Sequence, residues 1–288
     1  MTTSDATVLE RVVDTDAYPI AEPDTDAWKS IVARIQADLD GDGCSVLANF
    51  IRPTLFDALV EQGRVASPHA HYQTETVNVY NIDIDSPLPD GHPGRVRMQR
   101  GNAFVARDQI DPEAIISQLY GNELFRHFVA ACFGLPELYE LADPLSALVL
   151  NVIRPGLEHP WHFDTNEFTV SLLIQEAEAG GVFEYCPNIR SSVDENLDAV
   201  SAVLDGRGEH LVHRLTLRPG DLQLFRGRYA LHRVSAVRGG TDRHTAIFAY
   251  SERSGVIGSV TRTKQLFGRV LPEHVAAEKR VRGDSLLD

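Results

Sequence analysis

Short strand-like segments separated by glycine and proline make up most of the sequence from residue 147 onward. Regularly spaced short strands with turn residues between them are typical of a sandwich or a barrel. The pattern therefore predicts a jelly-roll core over about residues 147–250. Its six segments are ALVLNVI, FTVSLLI, GGVFEYC, HRLTLRP, DLQLF and HTAIFAY.

The first half of the chain has helical rather than strand-like periodicity. Apolar residues recur at helical spacing between Trp28 and Leu39, and Pro53 stands where the first turn of a second helix tolerates proline. Residues 111–133 predict two consecutive helices with a break near Gly121. The expected fold is thus mainly β with flanking helices, in which a helical N-terminal half buttresses the jelly roll.

The two ends of the chain lie outside this core. Residues 1–24 are rich in aspartate and threonine, and we predict a poorly packed N-terminal arm there. Residues 25–288 are expected to form a single domain. Within that domain, residues 194–204 predict a surface helix in a loop, and residues 263–281 predict one closing helix.

Composition limits the class of partner. A formal net charge of −14 disfavours nucleic acid and anionic membranes, because both select positive protein surfaces. No apolar run approaches the ~20 residues of a membrane span, and the N-terminus lacks the basic and apolar regions of a secretory signal. The three cysteines have neither metal-binding nor disulfide-framework spacing. We therefore expect a cytoplasmic protein that acts on a small molecule, with no nucleic-acid or membrane partner, and a homodimer is compatible with the sequence.

The strongest chemical signal is His162-Phe163-Asp164, with His232 far downstream. Residues two apart in a strand face the same side, so His162 and Asp164 can point together while a distant strand brings His232. Two imidazoles and one carboxylate form the facial triad of non-haem iron(II), whose other positions stay open for cosubstrate and O2. We predict these three residues as catalytic metal ligands. The ordinary alternatives are packed histidines and a turn-capping aspartate.

A cosubstrate anchor follows the second histidine. Arg243 lies eleven residues after His232, and its planar guanidinium suits bidentate binding of the remote carboxylate of 2-oxoglutarate. Thr245, two residues on, shares its face and can bind the same carboxylate. Asn151 either contacts 2-oxoglutarate or satisfies a buried backbone group. For Arg243, a surface ion pair is the alternative.

Taken together, HPWHFD…PGDLQLF…LHRVSAV…GTDRHT resembles the Fe(II)/2-oxoglutarate-dependent oxygenase superfamily over about residues 147–250. That resemblance implies a double-stranded β-helix, a cupin-like jelly roll, with Fe(II) as cofactor and 2-oxoglutarate and O2 as cosubstrates. The stretches HFDTNEFTVSLLIQ, GGVFEYCPNIR and LFRGRYALHRV resemble the branch of free-amino-acid halogenases and their hydroxylase relatives. Halogenases of that branch have Gly or Ala where this chain has Asp164, and chloride binds there. The resemblance therefore implies hydroxylation, with succinate and CO2 as co-products.

The same branch implies a free amino acid or a derivative as substrate. A larger natural product, such as a nucleoside or peptide conjugate, is the alternative, and desaturation or ring closure could replace hydroxylation. A jelly-roll protein that binds metal without turnover is a further alternative, although Arg243 disfavours it. Each candidate substrate contact could equally be a solvated loop residue or an ion-pair partner. These candidates are His159, Asn166, Glu167, Arg97, Arg100 and Arg226.

Overall fold

The computed structural model describes residues 3–277. Eight α-helices lie within this range, and none of them is both long enough and apolar enough to cross a bilayer. Four of them (α1, α2, α4 and α5) come before the jelly roll and pack together. The helices are Thr3–Val12 (α1), Asp26–Gly41 (α2), Phe56–Ala66 (α3), Ile115–Tyr120 (α4), Glu123–Cys132 (α5), Leu197–Leu204 (α6), Val260–Phe267 (α7) and Pro272–Ala277 (α8).

Twelve of the sixteen strands among the described residues lie from residue 139 onward. The early ones are Cys44–Leu47 (β1), Glu75–Val77 (β2), Met98–Arg100 (β3) and Ala103–Val105 (β4). Those of the predicted core and its borders are Tyr139–Glu140 (β5), Leu148–Ile153 (β6), His159–His162 (β7), Thr169–Gln175 (β8), Ala179–Gly180 (β9), Phe183–Cys186 (β10), His213–Leu215 (β11), Leu222–Phe225 (β12), Leu231–Val234 (β13), Val237–Arg238 (β14), Arg243–Phe248 (β15) and Tyr250–Ser251 (β16).

Two antiparallel sheets form the jelly roll. The larger has six strands in the order β1-β12-β8-β15-β6-β4, and the smaller has four in the order β11-β10-β13-β7. Apart from β10 and β11, neighbouring strands in these two sheets are not consecutive in the chain, as is expected of a double-stranded β-helix. The predicted mainly β fold with flanking helices is confirmed. The candidate site residues are distributed over both sheets. Two candidate metal ligands belong to the smaller sheet, and the candidate cosubstrate anchor belongs to the larger one.

The N-terminal helices pack against the larger sheet. Helix α2 buries Trp28, Val32, Ile35 and Leu39, and Thr25 caps it by accepting a hydrogen bond from the Trp28 backbone N–H at 3.3 Å. Helices α4 and α5 separate at Gly121, as predicted. These helices and the sheet share one apolar core. The helical half therefore braces the sheet that carries the cosubstrate anchor.

The expectation of a poorly packed N-terminal arm is wrong for the described part of residues 1–24. Helix α1 buries Leu9 and Val12 in the main core, and Val13 follows them there. Full burial of such side chains stabilises a fold by about 1.5–3 kcal/mol each. Further along, the Tyr18 hydroxyl donates to the Ala48 carbonyl at 2.7 Å. The polar composition of residues 1–24 concealed the short amphipathic stretch VLERVV. That residues 25–288 form a single domain stays a prediction.

The single closing helix predicted for residues 263–281 is also wrong. Two short helices, α7 and α8, replace it, because Gly268 adopts a left-handed φ of 69° that ends α7. Residues 278–281 lie outside the described residues. The predicted surface helix within residues 194–204 is present as α6.

Candidate active site

His162 and His232 face each other across neighbouring strands. His162 ends β7, His232 lies on β13, and the two residues are direct partners in the antiparallel register. Their ring centroids are 4.1 Å apart. Asp164 lies just beyond the end of β7, where its backbone N–H donates to the Gly227 carbonyl at 3.1 Å. The loop, and not strand periodicity alone, therefore brings the carboxylate to the imidazoles.

The three side chains offer one convergent set of donor atoms. Oδ1 of Asp164 lies 3.7 Å from Nε2 of His162 and 3.5 Å from Nε2 of His232. All three donor atoms lie within 4.8 Å of one another. Donor atoms that bind one metal ion at about 2 Å lie somewhat closer together than this. The three side chains would therefore have to move only slightly to bind one ion. The set fits a divalent metal bound on one side, as the facial triad of non-haem iron requires.

Backbone carbonyls fix both imidazoles. Nδ1 of His162 lies 2.8 Å from the Pro160 carbonyl, and Nδ1 of His232 lies 2.9 Å from the Ala230 carbonyl. A carbonyl only accepts, so each Nδ1 carries the proton and each Nε2 is left with its lone pair for a metal. Burial also lowers the pKa of His162 well below its usual value. The histidine is therefore neutral, as a metal ligand must be.

Asp164 is held in its ionised form and in one orientation. Burial alone would raise its pKa, but the neighbouring imidazoles and a hydrogen bond from Thr169 outweigh burial and lower the pKa. The Thr169 hydroxyl donates to Oδ2 at 2.6 Å, so Oδ1 remains for a metal. A Cβ atom at Gly227 would lie 1.9 Å from Oδ2. Thr169 and Gly227 were not predicted from the sequence, because neither belongs to the ligand pattern.

Arg243 and Thr245 lie on β15, in the larger sheet. Arg243 is 4% exposed, its guanidinium donates to the Thr245 hydroxyl, and no carboxylate among residues 3–277 lies within ion-pair distance of it. Burial lowers its pKa to about 10, so it stays charged at neutral pH. A buried cation without a counter-ion is unfavourable unless a ligand supplies the negative charge. The site fits the remote carboxylate of 2-oxoglutarate.

Asn151 lies directly opposite Thr245 in the strand register. Its side-chain oxygen accepts a hydrogen bond from Nδ2 of Asn102 at 3.0 Å. Both amides are buried, and Oδ1 of Asn102 has no hydrogen-bond partner among the described residues. Oδ1 of Asn102 is therefore an unsatisfied acceptor near the predicted cosubstrate site, and the sequence did not indicate it.

Sequence comparison decides the family. The family model described as Halogenase D matches residues 94–265, which is more than half of the chain and spans the triad and Arg243. The chain belongs to the Halogenase D family. The predicted membership of the oxygenase superfamily, near its halogenase branch, is confirmed. No curated protein matches the sequence.

Solved structures show the fold shared by this Halogenase D member. A 2OG-Fe(II) oxygenase family protein from Burkholderia pseudomallei has 16% identity and a TM-score of 0.50, covering 78% of this chain and 92% of its own. A prolyl hydroxylase from Trichoplax adhaerens, in complex with a hypoxia-inducible-factor peptide, has 14% identity and a TM-score of 0.52, with coverages of 78% and 90%. The epimerase SnoN from nogalamycin biosynthesis has 13% identity and a TM-score of 0.52, with coverages of 77% and 84%. Fold, family and donor set together support Fe(II) as the metal, with 2-oxoglutarate and O2 as cosubstrates.

Two of the predicted substrate contacts of this Halogenase D member lie beside the triad. The ring of His159 stacks on His162 at a centroid separation of 3.7 Å. Arg100 is 3% exposed and pairs with Glu75, but its Nε and Nη1 atoms are buried and have no hydrogen-bond partner within residues 3–277. Burial lowers the pKa of His159 well below its usual value, and the charge of Arg100 adds to this effect. His159 therefore contacts a candidate metal ligand, and the hydrogen bond from the Gly101 backbone N–H to the Glu158 carbonyl, at 3.0 Å, brings the backbone next to Arg100 close to that next to His159.

The other four predicted substrate contacts lie at the surface. Arg97 pairs with Asp85 at 3.7 Å, and Arg226 pairs with Asp40 at 2.9 Å. These are the ion pairs that the sequence left open as alternatives. Asn166 and Glu167 are exposed in the loop after the first two ligands. A role for any of the four in substrate binding stays a prediction.

A cation-aromatic stack fixes the loop that carries Asp164. Phe163 lies between the two ligands in sequence, with the Tyr80 ring 5.7 Å away on one side and the guanidinium of Arg190 3.8 Å from its centroid. Nε of Arg190 donates to the Arg228 carbonyl at 2.7 Å, and Nη1 of Arg228 donates to the Thr165 carbonyl at 2.9 Å. The loops on either side of the triad are therefore bound to each other.

Proposed function

We propose that the chain is an Fe(II)/2-oxoglutarate-dependent hydroxylase that acts on an unactivated C–H bond of a small polar substrate, a free amino acid or a close derivative. Its co-products would be succinate and CO2. The observation that carries this proposal is the carboxylate of Asp164, which completes a triad with His162 and His232. When bound, Fe(II) together with 2-oxoglutarate and O2 supplies the oxidant for C–H cleavage.

Asp164 favours hydroxylation over halogenation. A halide ligand needs a metal position that the protein leaves vacant, and here a carboxylate points at that position. Thr169 and Gly227 support this carboxylate through a hydrogen bond and a close contact, respectively. The neighbouring residues therefore hold the carboxylate in position at the site, although the family takes its name from halogenases.

Aromatic side chains lie next to His232, one of the candidate metal ligands. The Phe225 ring centroid lies 4.9 Å from that of His232, and the Phe183 centroid lies 5.7 Å from it. Such neighbours exclude water and so protect a reactive site from side reactions. His162 has a polar neighbour instead, the ring of His159, and this supports a small polar substrate.

One experiment tests the proposal. The protein is loaded with Fe(II) without oxygen, 2-oxoglutarate is added, and the weak visible charge-transfer band of the chelate is followed. Candidate amino acids that shift this band are then incubated with O2 and chloride. We expect succinate and a product heavier by one oxygen atom. A chlorinated product would refute hydroxylation, and a band without succinate release would favour a metal-binding protein that does not turn over.

A further inference from the structure

The acidic ligand is held on both sides by one distant segment of the chain, residues 227–229. The backbone N–H of Asp164 donates to the Gly227 carbonyl at 3.1 Å. The next carbonyl along the ligand loop, that of Thr165, accepts from Nη1 of Arg228 at 2.9 Å. The place of the Asp164 carboxylate therefore depends on where residues 227–229 lie.

The side chain and the backbone of Arg190 both bind this segment. Nε of Arg190 donates to the Arg228 carbonyl at 2.7 Å, and its backbone N–H donates to the Tyr229 carbonyl at 3.3 Å. Nη1 of the same guanidinium forms an ion pair with Glu195 at 3.0 Å, which fixes its orientation. Arg190 thus holds residues 227–229 through two hydrogen bonds.

Arg190 also contacts the ligand loop directly. Its guanidinium carbon lies 3.8 Å from the ring centroid of Phe163, the residue between His162 and Asp164. The Tyr80 ring stacks on Phe163 with an interplanar angle of 16°. Phe163 and Arg190 are each 2% exposed, and a cation–π contact is strongest when it is desolvated. One side chain therefore contacts both the ligand loop and the segment that supports it.

Stability alone does not account for an arginine at this position. A buried ion pair is often no more stabilising than apolar residues of similar volume. Nη2 of Arg190 is moreover buried and has no hydrogen-bond partner in the part of the chain that the structure describes, which is unfavourable. A planar guanidinium can, however, stack on a ring through its face while donating through its edge. Arg190 uses both, and so fixes the Phe163 ring relative to the Arg228 carbonyl.

We propose that Arg190 is a positioning residue for the acidic metal ligand. It acts through Phe163 and through residues 227–229, and it keeps the Asp164 carboxylate beside His162 and His232. This assignment rests on the metal triad and not on the identity of the substrate, so that it can be tested with the metal alone.

A double-mutant cycle with Asp164 tests the assignment. Equilibrium dialysis without oxygen gives the Kd for Fe(II) of the unmodified protein, Arg190→Gln, Asp164→Ala and the double variant. Arg190→Gln should weaken Fe(II) binding by about 10–100-fold, the range found when residues that orient metal ligands are changed. In the Asp164→Ala background the same change should weaken binding less than about twofold, because a residue that acts through another is not additive with it.

Two further variants separate positioning from folding. Arg190→Lys should recover part of the affinity, since it keeps the charge but cannot stack and donate with one planar group. Phe163→Leu removes the ring from the other side of the contact and should weaken Fe(II) binding in the same way, again only while Asp164 is present. Urea unfolding shows for each variant that folded protein is measured.

Arg233 provides a matched control. Its guanidinium carbon lies 4.7 Å from the ring centroid of Trp161, the residue before His162, and its Nε pairs with Glu184. Arg233→Gln therefore removes a comparable arginine–aromatic contact beside a ligand, but on a strand and not at the Asp164 loop. We expect its Fe(II) affinity to match that of the unmodified protein. With 2-oxoglutarate added, the charge-transfer band should shift in Arg190→Gln and keep its position in Arg233→Gln.

Three results would overturn the inference. An equal loss of Fe(II) affinity from Arg190→Gln with and without Asp164 would give Arg190 a purely structural role. Unchanged affinity in both Arg190→Gln and Phe163→Leu would show that the loop holds its position without them. Unchanged affinity in Asp164→Ala would remove Asp164 from the triad, and both this assignment and the argument for hydroxylation would be wrong.

Discussion

Gly227 and Asp164 are packed so closely that no side chain fits between them. A Cβ atom at Gly227 would lie 1.9 Å from Oδ2 of Asp164 and 2.7 Å from its Cγ. The Gly227 carbonyl also accepts the backbone N–H of Asp164. The glycine therefore fixes the positions of both the backbone and the side chain of the acidic metal ligand. It does so from a loop more than sixty residues away in the sequence.

Gly227→Ala should displace the Asp164 carboxylate and lower the affinity for Fe(II) by about 10–100-fold, the range found when partners that orient metal ligands are changed. Anaerobic metal titration measures this effect. Gly41→Ala is a matched control, because nothing lies within 4 Å of a Cβ placed there. Unchanged iron affinity in Gly227→Ala would show that the loop moves freely and does not position the ligand.

Asp164→Gly should abolish hydroxylation, because it removes the carboxylate that completes the triad. It also opens a metal position to chloride, so product analysis with chloride present is the measurement. His162→Ala serves as a comparison that should lose metal binding altogether. Hydroxylation at the original rate in Asp164→Gly would remove Asp164 from the metal site.

Arg243→Gln should raise the 2-oxoglutarate concentration needed for half-maximal succinate formation by about tenfold to a hundredfold, because a charged, two-point contact is lost. Steady-state kinetics with varied 2-oxoglutarate measure it. Arg207→Gln, in an exposed ion pair with Asp205, should leave that requirement unaltered. An unaltered requirement in Arg243→Gln would assign the cosubstrate to another residue.

Asp143→Asn should lower the free energy of unfolding at pH 7 by about 1.5–3 kcal/mol, as expected for loss of charged hydrogen bonds. Burial would raise the pKa of Asp143, but backbone N–H donors of Ser146, Gly258 and Leu145 outweigh burial and lower it. The stabilisation is therefore complete above the unfolded pKa of about 3.9 and is lost as the pH falls through the lower folded value.

Urea unfolding at pH 7 and below pH 4 measures this difference between Asp143→Asn and the unmodified protein. The difference should narrow as the pH falls below 4, because the unfolded chain takes up the proton first and the native carboxylate becomes protonated only at its lower pKa. Asp205→Asn, at the surface, is the control and should change stability little. A difference that is the same at both pH values would show that the charge of Asp143 does not stabilise the fold.

Strand geometry was enough to predict how some of the candidate ligands lie relative to one another. The two-residue spacing of Arg243 and Thr245 places both on one face of β15, and the structure joins their side chains. His162 and His232 were identified by residue type and by distance along the chain. The family match confirms the superfamily inferred from them.

Residues that act through tertiary contact could not be found in this way. Gly227 and Thr169 contact Asp164, but their importance depends on which loop approaches the ligand, and no local pattern encodes that. The packed helix α1 was missed because its apolar residues lie within the aspartate- and threonine-rich residues 1–24.

Asp143 contacts residues that come later in the chain than the predicted ligands: the Gly258 backbone N–H donates to it at 2.9 Å, and Nε2 of His274 lies 3.2 Å from it. All three metal ligands and Arg243 are made before residue 244, whereas Gly258 and His274 leave the ribosome later. A nascent chain therefore contains every predicted metal ligand before Asp143 can contact Gly258 and His274. Helices α7 and α8 pack onto a chain that already contains these ligands and Arg243.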